Sequence, residues 1–134
     1  MKGDVLLQNI QVRGFVPATA GKNVMDGKKK IRDAVETKLG KNIDNVRKRC
    51  ADKPLSINVT FYLQGDSTHA KKDLDGLSNV LLAVLSKEMG AKKEAGLGII
   101  GDDLTIYRYV FEKTIVSSAE REGLAFSIYE WSEI

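Results

Sequence analysis

Two short carboxylate clusters carry the residues best suited to chemistry: Lys71-Lys72-Asp73-Leu74-Asp75-Gly76 and Gly101-Asp102-Asp103. Singly, each has an ordinary explanation. Aspartates in the first turn of a helix cap free N–H groups and favour the positive end of its dipole, and Gly-Asp-Asp before a strand is a common turn. Together they suggest more, because converging carboxylates repel one another unless a cation neutralises them. Oxygen-only ligands suit Mg²⁺ or Mn²⁺, and Mg²⁺ typically takes one or two carboxylates plus waters and phosphate oxygens. An ion held in this way activates water and stabilises charge during phosphodiester hydrolysis. Lys71 and Lys72 stand directly upstream to meet phosphates, and both clusters adjoin a glycine, which lets a ligand approach closely.

Composition excludes several alternatives. Cys50 is the only cysteine and His69 the only histidine, so neither a disulfide framework nor a Cys/His zinc site can form within one chain. His69 reads as a spectator or a phosphate contact, and Cys50 as inert packing. The 134 residues, 43% hydrophobic and 29% charged, suit one domain spanning 1–134. Apolar runs of about five to seven residues are far short of the roughly 20 that a bilayer span needs. The first residues lack the apolar region of a secretory signal. A soluble, cytoplasmic protein without a membrane partner is expected. The net charge is only +3, yet residues 28–49 hold nine basic side chains, among them Lys28, Lys29 and Lys30, against three acidic ones. Such a stretch is either a solvated helix face or a track for a phosphate backbone.

These clusters need a scaffold, and the patterning supplies one. Residues 5–13 read as a strand bounded by Gly3 and Gly14, and 15–23 as a loop punctuated by Pro17 and Gly21. Asp26 is the expected N-cap of a helix with Ile31, Val35, Leu39, Ile43 and Val46 on one stripe. Gly40 predicts a kink or a break there, and Pro54 closes the segment. Residues 55–63 alternate apolar and polar types and give the clearest strand. A turn at 64–68 leads to a second helix, from 73 to about 89, which places Asp75 and Asn79 on one face. The glycines of 91–101 predict a flexible connection. Residues 104–116 and 122–131 read as two strands joined as a hairpin by 117–121. The expected class is α+β: a small mixed sheet with two main helices packed on it, in the order β-α-β-α-β-β.

A basic pair leading into Asp-Leu-Asp-Gly-Leu at a helix start, an apolar helix, and then Asp-Asp before a strand resembles the RusA-type Holliday junction resolvases. The resemblance implies a small homodimeric endodeoxyribonuclease, often of prophage origin, that uses Mg²⁺ or Mn²⁺ to nick four-way DNA junctions symmetrically in recombination and repair. It implies that Asp73 and Asp75 match the two motif aspartates, Asp103 the third catalytic carboxylate and Asp102 its less critical neighbour. Lys71 and Lys72 match the basic run that meets DNA. The specific motif covers only 71–77 and 101–104, while the order of elements covers most of the chain. The family commonly has a lysine one turn after the second aspartate, where this chain has Asn79. Asparagine still donates a hydrogen bond but brings no charge to the transition state. Lys22, Lys87 and Lys113 are the candidates to replace that lysine. Two other readings stand beside the nuclease: a junction- or duplex-binding protein that no longer cuts, and a metal-dependent phosphohydrolase of small molecules.

Overall fold

The computed structural model describes residues 2–17, 22–51, 53–65, 74–86, 88–89, 94–101 and 105–132. Along the chain these form β1 (Lys2–Arg13), α1 (Lys22–Leu39), α2 (Ile43–Cys50), β2 (Leu55–Gln64), α3 (Leu74–Leu85), β3 (Glu88–Met89), β4 (Glu94–Ala95), β5 (Ile106–Val116) and β6 (Gly123–Trp131). Apart from the two-residue pair β3 and β4, and with α1 and α2 taken as one broken helix, this is the expected β-α-β-α-β-β order. The main sheet is mixed, in the order β1-β6-β2-β5. β2 runs parallel to β5 and antiparallel to β6, and β1 is antiparallel to β6.

One face of this sheet makes the core. Leu55, Ile57, Val59, Phe61 and Leu63 of β2 are at most 3% exposed and join Leu124, Phe126 and Ile128 of β6. Onto them pack Ile31 and Val35 of α1, Val46 and Cys50 of α2, and Leu77, Leu81, Val84 and Leu85 of α3, all in one buried cluster. Side chains in adjacent strands stand side by side on the same face, so the opposite face carries Asn58, Thr60, Tyr62, Arg108 and Arg13. There Arg13 lies 3.5 Å above the Tyr62 ring and Arg108 bonds Ser56 Oγ and Asn58 Oδ1.

Four expectations from the sequence are corrected by the structure. α1 begins at Lys22 rather than after an Asp26 cap, and Asp26 lies within the helix, 3.7 Å from Lys30. The expected hairpin of the last two strands does not form. β6 is central, between β1 and β2, whereas β5 is an edge strand paired only with β2. Burial is consistent with this order: Leu124, Phe126 and Ile128 of β6 are at 2% exposure or less, while Tyr107, Val110 and Ile115 of β5 stay exposed.

The second helix ends at Leu85 rather than near residue 89. Its last carbonyls are taken from outside the helix: Leu97 N–H donates to Val84 O, and the Ile99 and Ile100 N–H groups donate to Leu85 O. Residues 97–100 of the glycine-rich connection are therefore held by their apolar side chains and these bonds, with Leu97, Ile99 and Ile100 at 1% exposure or less. The expected break at Gly40 is present. Gly40 adopts φ +51° at the start of a single 3-10 turn between α1 and α2, a conformation that a side chain disfavours.

No helix among the described residues is long and apolar enough to cross a membrane.

Candidate functional site

The sheet has two distinguishable ends. At one, β2 finishes: Tyr62 pairs with Gly123, which also pairs with Arg13 at the close of β1. At the other, β2 starts, with Leu55 beside Ile106 and Glu130. α3 begins at the Tyr62 end, because Leu77 lines a small apolar gap together with Phe61, Leu124 and Phe15. It finishes at the Leu55 end, where 97–100 bond its last turn and the chain proceeds to β5.

Asp75 is exposed in the first turn of α3, and Asn79 is exposed one turn later on the same face. Asp73, Asp102, Asp103, Lys71, Lys72, His69 and Lys87 lie outside the described residues, as does the side chain of Lys22. The ends of the two carboxylate clusters that are described nevertheless lie far apart. Gly101 follows the segment bonded to Leu85, and Leu85 is ten residues along the helix from Asp75, about 15 Å at 1.5 Å per residue. Among the described residues no three His, Cys, Asp or Glu side chains converge on a metal position. Asp75 fits a hydrated Mg²⁺, which needs only one or two carboxylates, and offers nothing to a softer metal.

Two side chains that the strand pattern assigned no chemistry share the Tyr62 end with Asp75. Glu122 directly precedes β6 and keeps its alternation with Leu124, Phe126 and Ile128, on the face covered by the helices. It is 1% exposed, the only buried carboxylate among the described residues. Acidic side chains are almost never so buried without a charge or hydrogen-bond partner. Lys113 pairs in register with Phe61, so it projects on the same face of the edge strand near the start of α3. Of the three lysines considered in place of the one missing at position 79, it is the one whose side chain the fold assigns to this end. The alternation of 122–128 contained the signal for Glu122, but a glutamate at a strand start reads from sequence as a turn residue.

The basic stretch divides into engaged and unengaged cations. Lys30 Nζ bonds Gly14 O at 3.2 Å and lies 3.7 Å from Asp26. Such an exposed i,i+4 pair contributes about 0.3–0.5 kcal/mol, so a phosphate can displace the carboxylate. Arg32 pairs with Glu36, and Arg47 with both Asp44 and Leu97 O. Lys38 and Arg49 bond the β1 carbonyls of Asn9 and Val5. Lys28, Lys29, Lys41 and Lys48 make no ion pair or hydrogen bond among the described residues, and Lys28 and Lys29 lie in the first half of α1, toward the Tyr62 end. Cys50 is inert: burial pushes its thiol up to about 11, against the smaller opposing effects of Arg49 and Lys53.

No family model matches the chain, and no curated protein does. The resemblance to the RusA-type resolvases rests on the residues that carry it.

Proposed function

We propose that this protein is a metal-dependent, structure-selective endodeoxyribonuclease that resolves four-way DNA junctions by paired nicks, acting as a homodimer on DNA in the cytoplasm. The observation that carries the reading is the exposed Asp75 at the start of α3, with Glu122 and Lys113 at the same end of the sheet and the Asp-Leu-Asp motif around it. A bound Mg²⁺ or Mn²⁺ would supply an activated water and neutralise charge on the scissile phosphate. Asp73 and Asp75 would hold it and Glu122 would orient that shell, while Lys113 and Asn79 would face the phosphate. Lys28 and Lys29, with Lys71 and Lys72, would position the DNA arm through its backbone.

Asp102 and Asp103 follow a segment at the opposite end of α3. A two-fold axis crossing α3 reconciles this separation with the motif, since it sets the start of one helix against the end of the other in two equivalent places. Each site then draws carboxylates from both subunits.

The test is a labelled four-way junction incubated with the protein in Mg²⁺, Mn²⁺ or EDTA. Symmetric nicks that need the metal support the proposal. Salt-sensitive binding without nicks in any metal supports instead a junction-binding protein that does not cut. The distance between Asp75 and Gly101, the described ends of the two clusters, and the neutral Asn79 favour that second reading.

A further inference from the structure

A groove of about 430 Å³ runs between β1 and the elbow that joins α1 to α2. Its origin is the irregularity of β1. Register shifts at Val5, Leu7 and Ile10, with Asn9 at φ +47°, bend the strand and leave its outer edge facing the helices. Leu6 and Val46 form the apolar floor. Five polar side chains line the groove, Gln8, Lys38, Asn42, Asn45 and Arg49, and no carboxylate does. Residues 38, 42, 45 and 49 recur at helical spacing, so one stripe of the broken helix presents amide and cationic donors along the whole length. Asn42 is the N-cap of α2 yet makes no side-chain capping bond, and Asn45 makes none among the described residues. Both are exposed. Lys41 and Lys48, exposed and without an ion pair among the described residues, occupy the neighbouring stripe. The one acid of α2, Asp44, is tied to Arg47 at 2.8 Å.

The geometry points to this groove as a second DNA contact, a track for the phosphodiester backbone of one strand. Charge complementarity favours an anion chain as the occupant: two of the polar groups are cationic, the three amides can donate to phosphate oxygens, and none is acidic. An added β-strand is excluded at these positions, since Lys38 Nζ and Arg49 Nη2 already take the outer carbonyls of Asn9 and Val5, at 3.2 and 3.0 Å. The choice of DNA over other polyanions rests on the function proposed above. α2 lies between the two features: its Arg49 caps β1, and its Arg47 bonds the Leu97 carbonyl in the segment that leads to Asp102. A strand seated in the groove would be anchored beside that segment.

The test is anisotropy with a labelled four-way junction and with one of its single strands, in EDTA, over a salt series. The double variant Asn42→Asp/Asn45→Asp adds two charges at the start of α2, where acidic residues are compatible with the helix. Thr114→Asp/Ser117→Asp adds the same charge at exposed positions elsewhere. The groove variant is expected to bind at least about tenfold more weakly and with a shallower salt dependence, by about one phosphate or more, while the control stays within about threefold of wild type. Equal effects of the two variants, or a wild-type protein that binds neither DNA, would overturn the inference. EDTA keeps the two proposals separable. A groove-dependent binder that never nicks with metal upholds this inference and defeats the nuclease.

Discussion

At the scale of single residues, the position one turn beyond Asp75 is where this chain departs from the motif it otherwise carries. Asn79 brings a hydrogen-bond donor without charge, and Lys113 reaches the same end of the sheet from the edge strand. If Lys113 supplies the missing charge, Lys113→Gln slows nicking about 10- to 100-fold, and adding Asn79→Lys to that variant restores most of the rate. Loss without restoration would mean that Lys113 acts elsewhere. Glu122 makes a second claim at this scale. On the proposed reading this buried carboxylate at the Asp75 end would orient the metal shell, so Glu122→Gln is expected to raise the Mg²⁺ concentration for half-maximal nicking about tenfold or more while thermal unfolding stays near wild type. An unchanged metal dependence would make Glu122 a purely structural residue.

Among the elements, legibility followed local periodicity. The alternation of β2 and the four-residue spacing through Ile31, Val35, Leu39 and Ile43 are local signals, and both elements are present, β2 with nearly the expected bounds and the helix with an earlier start at Lys22. Gly40 marked the break between α1 and α2, since a left-handed residue cannot continue a helix. Partner choice within a sheet is not local. Residues 104–116 and 122–131 look like neighbours along the chain, but β6 crosses past β2 to a central position between β1 and β2 and buries Leu124, Phe126 and Ile128 there. The same limit hid the ordering of 97–100, where three glycines near an apolar Leu-x-Ile-Ile read as flexibility. That segment is held by the ends of two helices, through the carbonyls of Val84 and Leu85 and through Arg47 Nε, 2.7 Å from Leu97 O. Removing a charge-assisted bond of this kind costs about 1.5–3 kcal/mol. Arg47→Ala should therefore speed amide exchange of Ile99 and Ile100 about tenfold or more relative to the β2 amides. Exchange that changes equally throughout the chain would instead indicate general destabilisation.

For the whole molecule, the dominant fact is that the described ends of the two carboxylate clusters, Asp75 and Gly101, lie at opposite ends of α3. The motif is readable in the sequence, but the placement of its halves is not, because spacing along the chain does not reveal which end of a sheet a loop occupies. In the proposed two-fold arrangement Asp75 of one subunit would work with Asp103 of the partner subunit. Subunits carrying Asp75→Asn and subunits carrying Asp103→Asn, each inactive alone, should regain nicking when mixed and allowed to exchange, since one of the two shared sites then retains both aspartates. If each site lay within one chain, the mixture would stay inactive. The most direct test of the central claim compares wild type with Asp75→Asn on a four-way junction, reading binding in EDTA and nicking in Mg²⁺ from the same preparations. The account predicts junction affinity within about threefold of wild type and nicking reduced by at least about 100-fold; nicking by Asp75→Asn at the wild-type rate would contradict it.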